Sequence, residues 1–142
     1  MFKILRAIAI FYFFLNVFNM SMSNENFFKK GLELYNDKNF DDAQFMFERS
    51  IVFNPKDFNS YLYLAKIYNY KEDKQKEEKN LKTSLLIEPN NEEAILMLMK
   101  ISLEKSNYSK VKKLSKTFSE VCKKLCDENK EILENLNNIE PK

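Results

Sequence analysis

The chain has 142 residues, with one glycine, three prolines, no tryptophan, no histidine, and 23 basic against 21 acidic side chains. Without histidine, nucleophilic catalysis through a His base is excluded, and a single glycine cannot build a phosphate-cradling loop. Lys3 and Arg6 supply the whole positive excess, so the chain from Asn24 onward is balanced, which argues against a global polyanion binder.

Residues 1–23 read as a targeting segment rather than as part of the fold. MFKILR is a short basic stretch, Ala7 to Phe18 is an apolar run, and Ser21-Met22-Ser23 offers small residues at a cleavage site, leaving Asn24 as the mature start. Retention as a membrane anchor through residues 4–22 is the alternative. Asn16 and Asn19 interrupt the run, whereas a span needs about 20 apolar residues. The expected location is therefore outside the cytoplasm, periplasmic or secreted, or else tethered at the membrane.

From Asn24 the chain reads as helix after helix. Phe27, Phe28, Leu32, Leu34 and Tyr35 lie at helical spacing, Asn36 to Asn39 forms a turn, and Phe40, Ala43, Phe47, Ser50 and Ile51 make a returning stripe that Pro55 ends. The plan recurs with Tyr61, Leu64, Ala65 and Tyr68, the charged turn Lys71 to Lys74, and Leu81, Leu85 and Ile87 before Pro89. A third unit has Ala94, Ile95, Leu98, Ile101 and Leu103, a turn at Ser106-Asn107, and Val111, Leu114, Phe118 and Val121. Asp127 is the expected N-cap of a last helix over 128–138, with Ile132, Leu133, Leu136 and Ile139 along one side. Such a helix covers the open end of a repeat array.

The interval from Pro55 to Pro89 is repeated from Ser50 to Ser84, Phe47 to Leu81, Gly31 to Ala65, and Phe27 to Tyr61. On these positions residues 24–125 resemble the tetratricopeptide repeat (TPR) family, whose helical hairpins recur about every 34 residues. The resemblance implies an all-α, short TPR-like helical-hairpin solenoid. Its units are 24–57, 58–91 and a degenerate 92–125, followed by a capping helix and tail over 126–142. Lys30, Glu77, Met99, Ser102, Ser115 and Phe118 depart from the family pattern, the last four as a size swap that conserves volume. The resemblance also implies a concave groove for a protein or peptide segment. It would be lined by Phe28, Leu32 and Tyr35, then Leu62, Lys66, Asn69 and Tyr70, then Leu96, Lys100 and Leu103. Packing within the chain is the competing role for these residues. Phe28 and Leu32 stand where the family's carboxylate clamp uses Lys and Asn, so capture of acidic C-terminal tails is not expected.

Cys122 and Cys126 are the only cysteines. In an oxidising compartment they would form a disulfide pinning the turn into the last helix; free thiols and a redox pair are the alternatives. The redox reading is the weaker one, because the spacing is C-x₃-C. Two cysteines without histidine do not make a metal site, and no cofactor is expected. Six lysines between Lys110 and Lys124, opposed by Glu120 alone, form a solvated basic face or a contact for an acidic partner or anionic membrane. Asn107-Tyr108-Ser109 matches a glycosylation sequon by chance composition. The function expected is a non-catalytic, exported interaction scaffold of the cell envelope, with no nucleic-acid partner. The rivals are a small thiol-redox or metal-dependent accessory using Cys122 and Cys126, and a membrane-tethered adaptor.

Overall fold

A computed structural model describes residues 24–139, so residues 1–23, read from sequence as a targeting segment, lie outside the described residues. Seven helices and no strand are present among them: α1 (Asn24–Asn36), α2 (Phe40–Phe53), α3 (Phe58–Tyr70), α4 (Lys74–Ile87), α5 (Glu92–Glu104), α6 (Tyr108–Val121) and α7 (Cys126–Ile139). The helices are paired as hairpins, making an all-α helical-hairpin solenoid that divides into two compact units between Asn54 and Pro55. The first unit holds α1 and α2, and the second holds α3 to α7.

The period inferred from side chains is also the period of the backbone. First helices end at Asn36, Tyr70 and Glu104 and second helices at Phe53, Ile87 and Val121, the same interval each time. Within each hairpin the turn passes through a left-handed residue, Lys38, Glu72 and Ser106, spaced by that interval again. None is glycine, although glycine would take that conformation without steric cost. A repeated bond holds the turn shut. Asn39 N–H donates to the Leu34 carbonyl (2.9 Å), Asp73 to Tyr68 (2.9 Å) and Asn107 to Ser102 (2.8 Å), which satisfies carbonyls that the helix end leaves open. Asp73 and Asn107 then cap the next helix, accepting from the N–H of Lys76 and Lys110. Asn107, the sequon residue, thus has its side-chain oxygen engaged inside the turn. At the hairpin ends Asn54 and Glu88, each preceding a proline, leave the helical region at φ −133° and −126°.

The last helix differs from expectation at its start. It begins at Cys126, so Asp127 lies in its first turn rather than capping it, and its carboxylate pairs with Lys130 at 2.8 Å. Cys126 follows Glu92 by one full repeat, so α7 begins in phase with the first helices of the hairpins. Ile132 and Leu136 are buried with Ile95, Leu96, Met99 and Phe118, while Asp127, Lys130, Glu131 and Glu134 stay exposed.

The hairpin interiors follow one rule of complementary size. Gly31 faces Phe47 so closely that a Cβ on Gly31 would lie 2.8 Å from the ring. The corresponding pairs are Ala65 with Leu81 and Met99 with Ser115, and all six residues are buried. As the residue on the first helix grows, its counterpart on the second shrinks, as close packing at fixed backbone spacing demands. A second set of positions behaves alike. Tyr68 and Ser84 in α3–α4 become Ser102 and Phe118 in α5–α6, all buried. The departures of the third unit are thus paired exchanges of volume. Glu77, in a slot that holds Ala43 and Val111 in the other hairpins, is 1% exposed. Asn69 Nδ2 donates to it at 2.8 Å and Lys74 Nζ lies 3.3 Å away, so its charge is compensated by neighbours on α3 and α4.

Candidate functional site: the faces of the first helices and the Cys122–Cys126 loop

In the first unit, Phe28 of α1 packs its ring 5.7 Å from Phe47, Tyr35 sits edge-on to Phe40 at 5.4 Å, and Leu32 is half-buried. Phe28 and Tyr35 therefore have a packing role within their own hairpin.

In the second unit the sequence-derived groove residues fall into three kinds. Leu62 and Leu96 are 4% and 3% exposed and belong to the core clusters. Lys66 and Lys100, one repeat apart on α3 and α5, each reach a glutamate of the following first helix: Lys66 to Glu93 at 2.8 Å and Lys100 to Glu128 at 3.4 Å. Lys66 also lies 4.5 Å over the Tyr63 ring. Asn69 is held by Glu77, Tyr70 is 68% exposed, and Leu103 is half-buried. Two clefts separate α5 from the elements that follow it. One, of about 300 Å³, is lined by Glu93, Leu96, Met97, Lys100, Leu125 and Glu128. The other, of about 390 Å³, lies among Lys100, Leu103, Glu104, Ile132, Asn135 and Ile139 and is mainly apolar. Lys100 stands between them. The two lysines are thus not bare cations. An acidic group approaching Lys100 exchanges with a carboxylate in an exposed pair that contributes at most about 1 kcal/mol, whereas the Lys66 side chain is only 18% exposed.

The cysteine pair has a definite structural setting. α6 ends at Val121 and Cys122 adopts an extended conformation (φ −63°, ψ 138°), which folds the chain back on itself. That bend puts the Cα atoms of Cys122 and Cys126 5.4 Å apart, with their sulfurs at bonding distance. The three residues between them, Lys123, Lys124 and Leu125, all aim backbone N–H groups at the Glu92 carboxylate in the first turn of α5, at 2.9, 3.0 and 3.0 Å. The N–H bonds of Lys124, Leu125 and Lys123 hold the Glu92 pKa below the usual carboxylate value. Sequence reasoning missed this contact, because no side-chain pattern announces three peptide groups converging on one carboxylate. The bridged loop thereby ties the start of α7 to the start of α5. Glu92→Ala is expected to speed amide exchange at Lys123, Lys124 and Leu125 at least tenfold while amides of α1 and α2 keep their rates. Hydrogen-exchange measurements on both proteins check this.

A second cross-link centres on Glu78 of α4, which pairs with Lys82 four residues along its own helix (2.8 Å) and also with Lys105 (2.5 Å) and Lys110 (3.1 Å) at the α5–α6 turn. Lys110, read from sequence as part of a basic face, is thus drawn into the fold. Nearby, burial opposes the charge on Lys74, but its bonds to Glu104 and Glu77 outweigh that and raise its pKa.

Among the described residues no cluster of three or more His, Cys, Asp or Glu could hold a metal, and no helix is long and apolar enough to cross a membrane. The hairpins, their constant period and their glycine-free left-handed turns define a protein of stacked helical repeats. Comparison with solved structures specifies it further: the fold is that of a tetratricopeptide repeat domain. The Arabidopsis OM64 TPR domain superposes with a TM-score of 0.73 at 17% identity, over 83% of this chain and 97% of that one. The Yersinia enterocolitica type III secretion chaperone SycD, in complex with a peptide of the translocator YopD, gives 0.72 at 12% identity, over 80% and 92%. The yeast Sti1 TPR2B domain gives 0.74 at 14% identity, over 84% and 99%. No protein-family model matches the sequence, and no curated protein matches it.

Proposed function

We propose that this chain is a non-catalytic TPR-type scaffold that holds a protein segment against its first helices, α3, α5 and α7 in the second unit. In the first unit the half-buried Leu32 of α1 would serve the same purpose, beside Phe28 and Tyr35, which pack on Phe47 and Phe40. The observation that carries the reading is the pair of clefts along α5, with apolar floors at Leu96, Leu103 and Ile132 and the Lys100–Glu128 pair at their shared rim. An amphipathic segment with apolar anchors and one acidic residue suits that surface, the acid exchanging with Glu128 or Glu93 at a lysine. Two similar structures support the class of ligand: SycD holds a translocator peptide, and a TPR of Spaghetti (RPAP3) holds the HSP90 peptide SRMEEVD. The clamp residues for an acidic C-terminal tail are replaced here by Phe28 and Leu32, so the segment differs from such a tail. Export, through the basic and apolar residues at the N-terminus, completes the proposal and places the scaffold among envelope proteins.

The test is a pull-down with wild type, Leu103→Glu and Cys122→Ser. Loss of the co-purifying protein in Leu103→Glu alone supports the scaffold, and loss in Cys122→Ser alone supports the thiol-dependent reading. N-terminal sequencing of the mature protein reads export separately: a start at Asn24 supports cleavage, and a start at Met1 supports a membrane-tethered adaptor.

A further inference from the structure

The first unit carries a surface that neither the core nor the first-helix faces use. On α2, Phe45, Arg49, Val52 and Phe53 follow one another at helical spacing, which places them along one side of the helix, away from the buried Ala43, Phe47 and Ser50. Phe45, Val52 and Phe53 are 52%, 76% and 44% exposed. The Arg49 guanidinium lies 4.7 Å over the ring of Phe27 and 5.6 Å from that of Phe45, and Phe27 stacks on Phe53 at 5.3 Å with a 10° tilt. Phe45, Arg49, Phe27 and Phe53 therefore form one continuous stack at the surface, fixed in place before any partner arrives.

The chain supplies its own control for whether the hairpin needs this stack. The corresponding residues are Lys79, Thr83, Leu86 and Ile87 on α4, and Lys113, Thr117, Glu120 and Val121 on α6, yet all three hairpins have the same helix lengths. Thr83 and Thr117 merely bond back to the helix carbonyls of Lys79 and Lys113. Phe45 and Arg49 are the addition to the first hairpin, laid beside the Phe27–Phe53 contact, whose counterparts Ile95 and Val121 belong to one core cluster in the third. The composition of the whole stripe, aromatic rings around an arginine, is that of the energetic centre of a protein interface.

Charge says what should cover it. Asp42 and Glu48, both exposed, border the stripe on either side of its own Arg49, and their side-chain partners Asn39 and Gln44 are neutral amides. An anionic surface is repelled by that border, whereas lysines or arginines flanking an apolar stripe are attracted to it. The stripe runs about 12 Å along α2 at roughly 1.5 Å per residue, which matches two turns of a helix. We infer that the outer face of α2, with Phe27, is a second docking surface, and that it takes an amphipathic helix of a protein partner bearing basic residues beside its apolar stripe. It is distinct from the first-helix faces proposed above, so the chain would hold two protein segments at once.

The probe is a synthetic amphipathic helix of about five turns, with leucines at 3–4 spacing flanked by lysines, set against the same peptide with glutamates in place of the lysines. Binding to the full chain is followed by titration and by backbone amide shifts. The lysine peptide should perturb amides centred on residues 45–53, bind at least tenfold tighter than the glutamate peptide, and weaken at least tenfold with Phe45→Ser. Val52→Ser is the second variant should Phe45→Ser disturb the helical circular dichroism. Leu103→Glu should leave this binding unchanged, which separates it from the groove reading. Equal affinity for the two peptides overturns the inference, as do shifts confined to α3, α5 and α7. A dimer abolished by Val52→Ser, or binding to vesicles containing phosphatidylglycerol in place of the peptide, overturns it in favour of another occupant.

Discussion

Met99→Ala should destabilise the protein by about 3 kcal/mol, and adding Ser115→Leu should restore most of that loss. Met99 is fully buried, and truncating a buried methionine to alanine removes apolar contacts and leaves a cavity, which costs about 2–5 kcal/mol. Ser115, its counterpart on α6, is too small to fill the space. The double variant recreates the Ala65–Leu81 pair that the neighbouring hairpin already buries, so its volume is one this backbone accepts. Ser115→Leu alone should also destabilise, by about 1–3 kcal/mol, because Met99 already occupies that space. Urea unfolding of the four proteins gives a coupling energy, and additive effects would mean the two positions do not face each other.

Glu78→Gln should cost about 2 kcal/mol at neutral pH and almost nothing near the folded pKa of about 2. The glutamate gathers Lys105, Lys82 and Lys110 around a side chain only 16% exposed, and removing its charge leaves three ammonium groups facing one another. Hydrogen bonds from Lys105 and Lys82, against some burial, push its pKa from the ordinary 4.5 to about 2. The folded value lies below the unfolded one, so this stabilisation is complete above pH 4.5 and is lost as pH falls toward 2. Wild type and variant should therefore converge across that window. A gap that stayed constant from neutral pH down through the window would show that the carboxylate's charge is not what the fold uses. Because Lys105 and Lys110 sit at the α5–α6 turn, the variant should also loosen that turn in hydrogen exchange, whereas the Glu92 contact acts at the other end of α5.

The two clusters differ in how visible they are in sequence. The Glu78–Lys82 bond follows from helical spacing, but Lys105 and Lys110 are far along the chain and join only because the hairpins stack. The same holds for Lys66 and Lys100. Their place on the first helices follows from the repeat, while their pairing with Glu93 and Glu128 depends on how far each long side chain reaches across to the next helix. Leu62 and Leu96 match groove positions in sequence, yet neighbouring side chains cover both, so that Leu62 lies in the core and Leu96 shows only as the floor of a cleft.

By itself the amino-acid order determined the period, where the helices of the three hairpins end, and how those helices pair, but not the start of α7. Those depend on local physics: proline and turn residues stop helices, and residues one repeat apart must fill equivalent spaces. Only the tertiary structure decided which charges meet, that three peptide N–H groups close on Glu92 inside the Cys122–Cys126 loop, and that Arg49 is stacked between Phe27 and Phe45. These contacts join groups from different helices or from a loop backbone, where direction and distance are set by packing rather than by spacing along the chain.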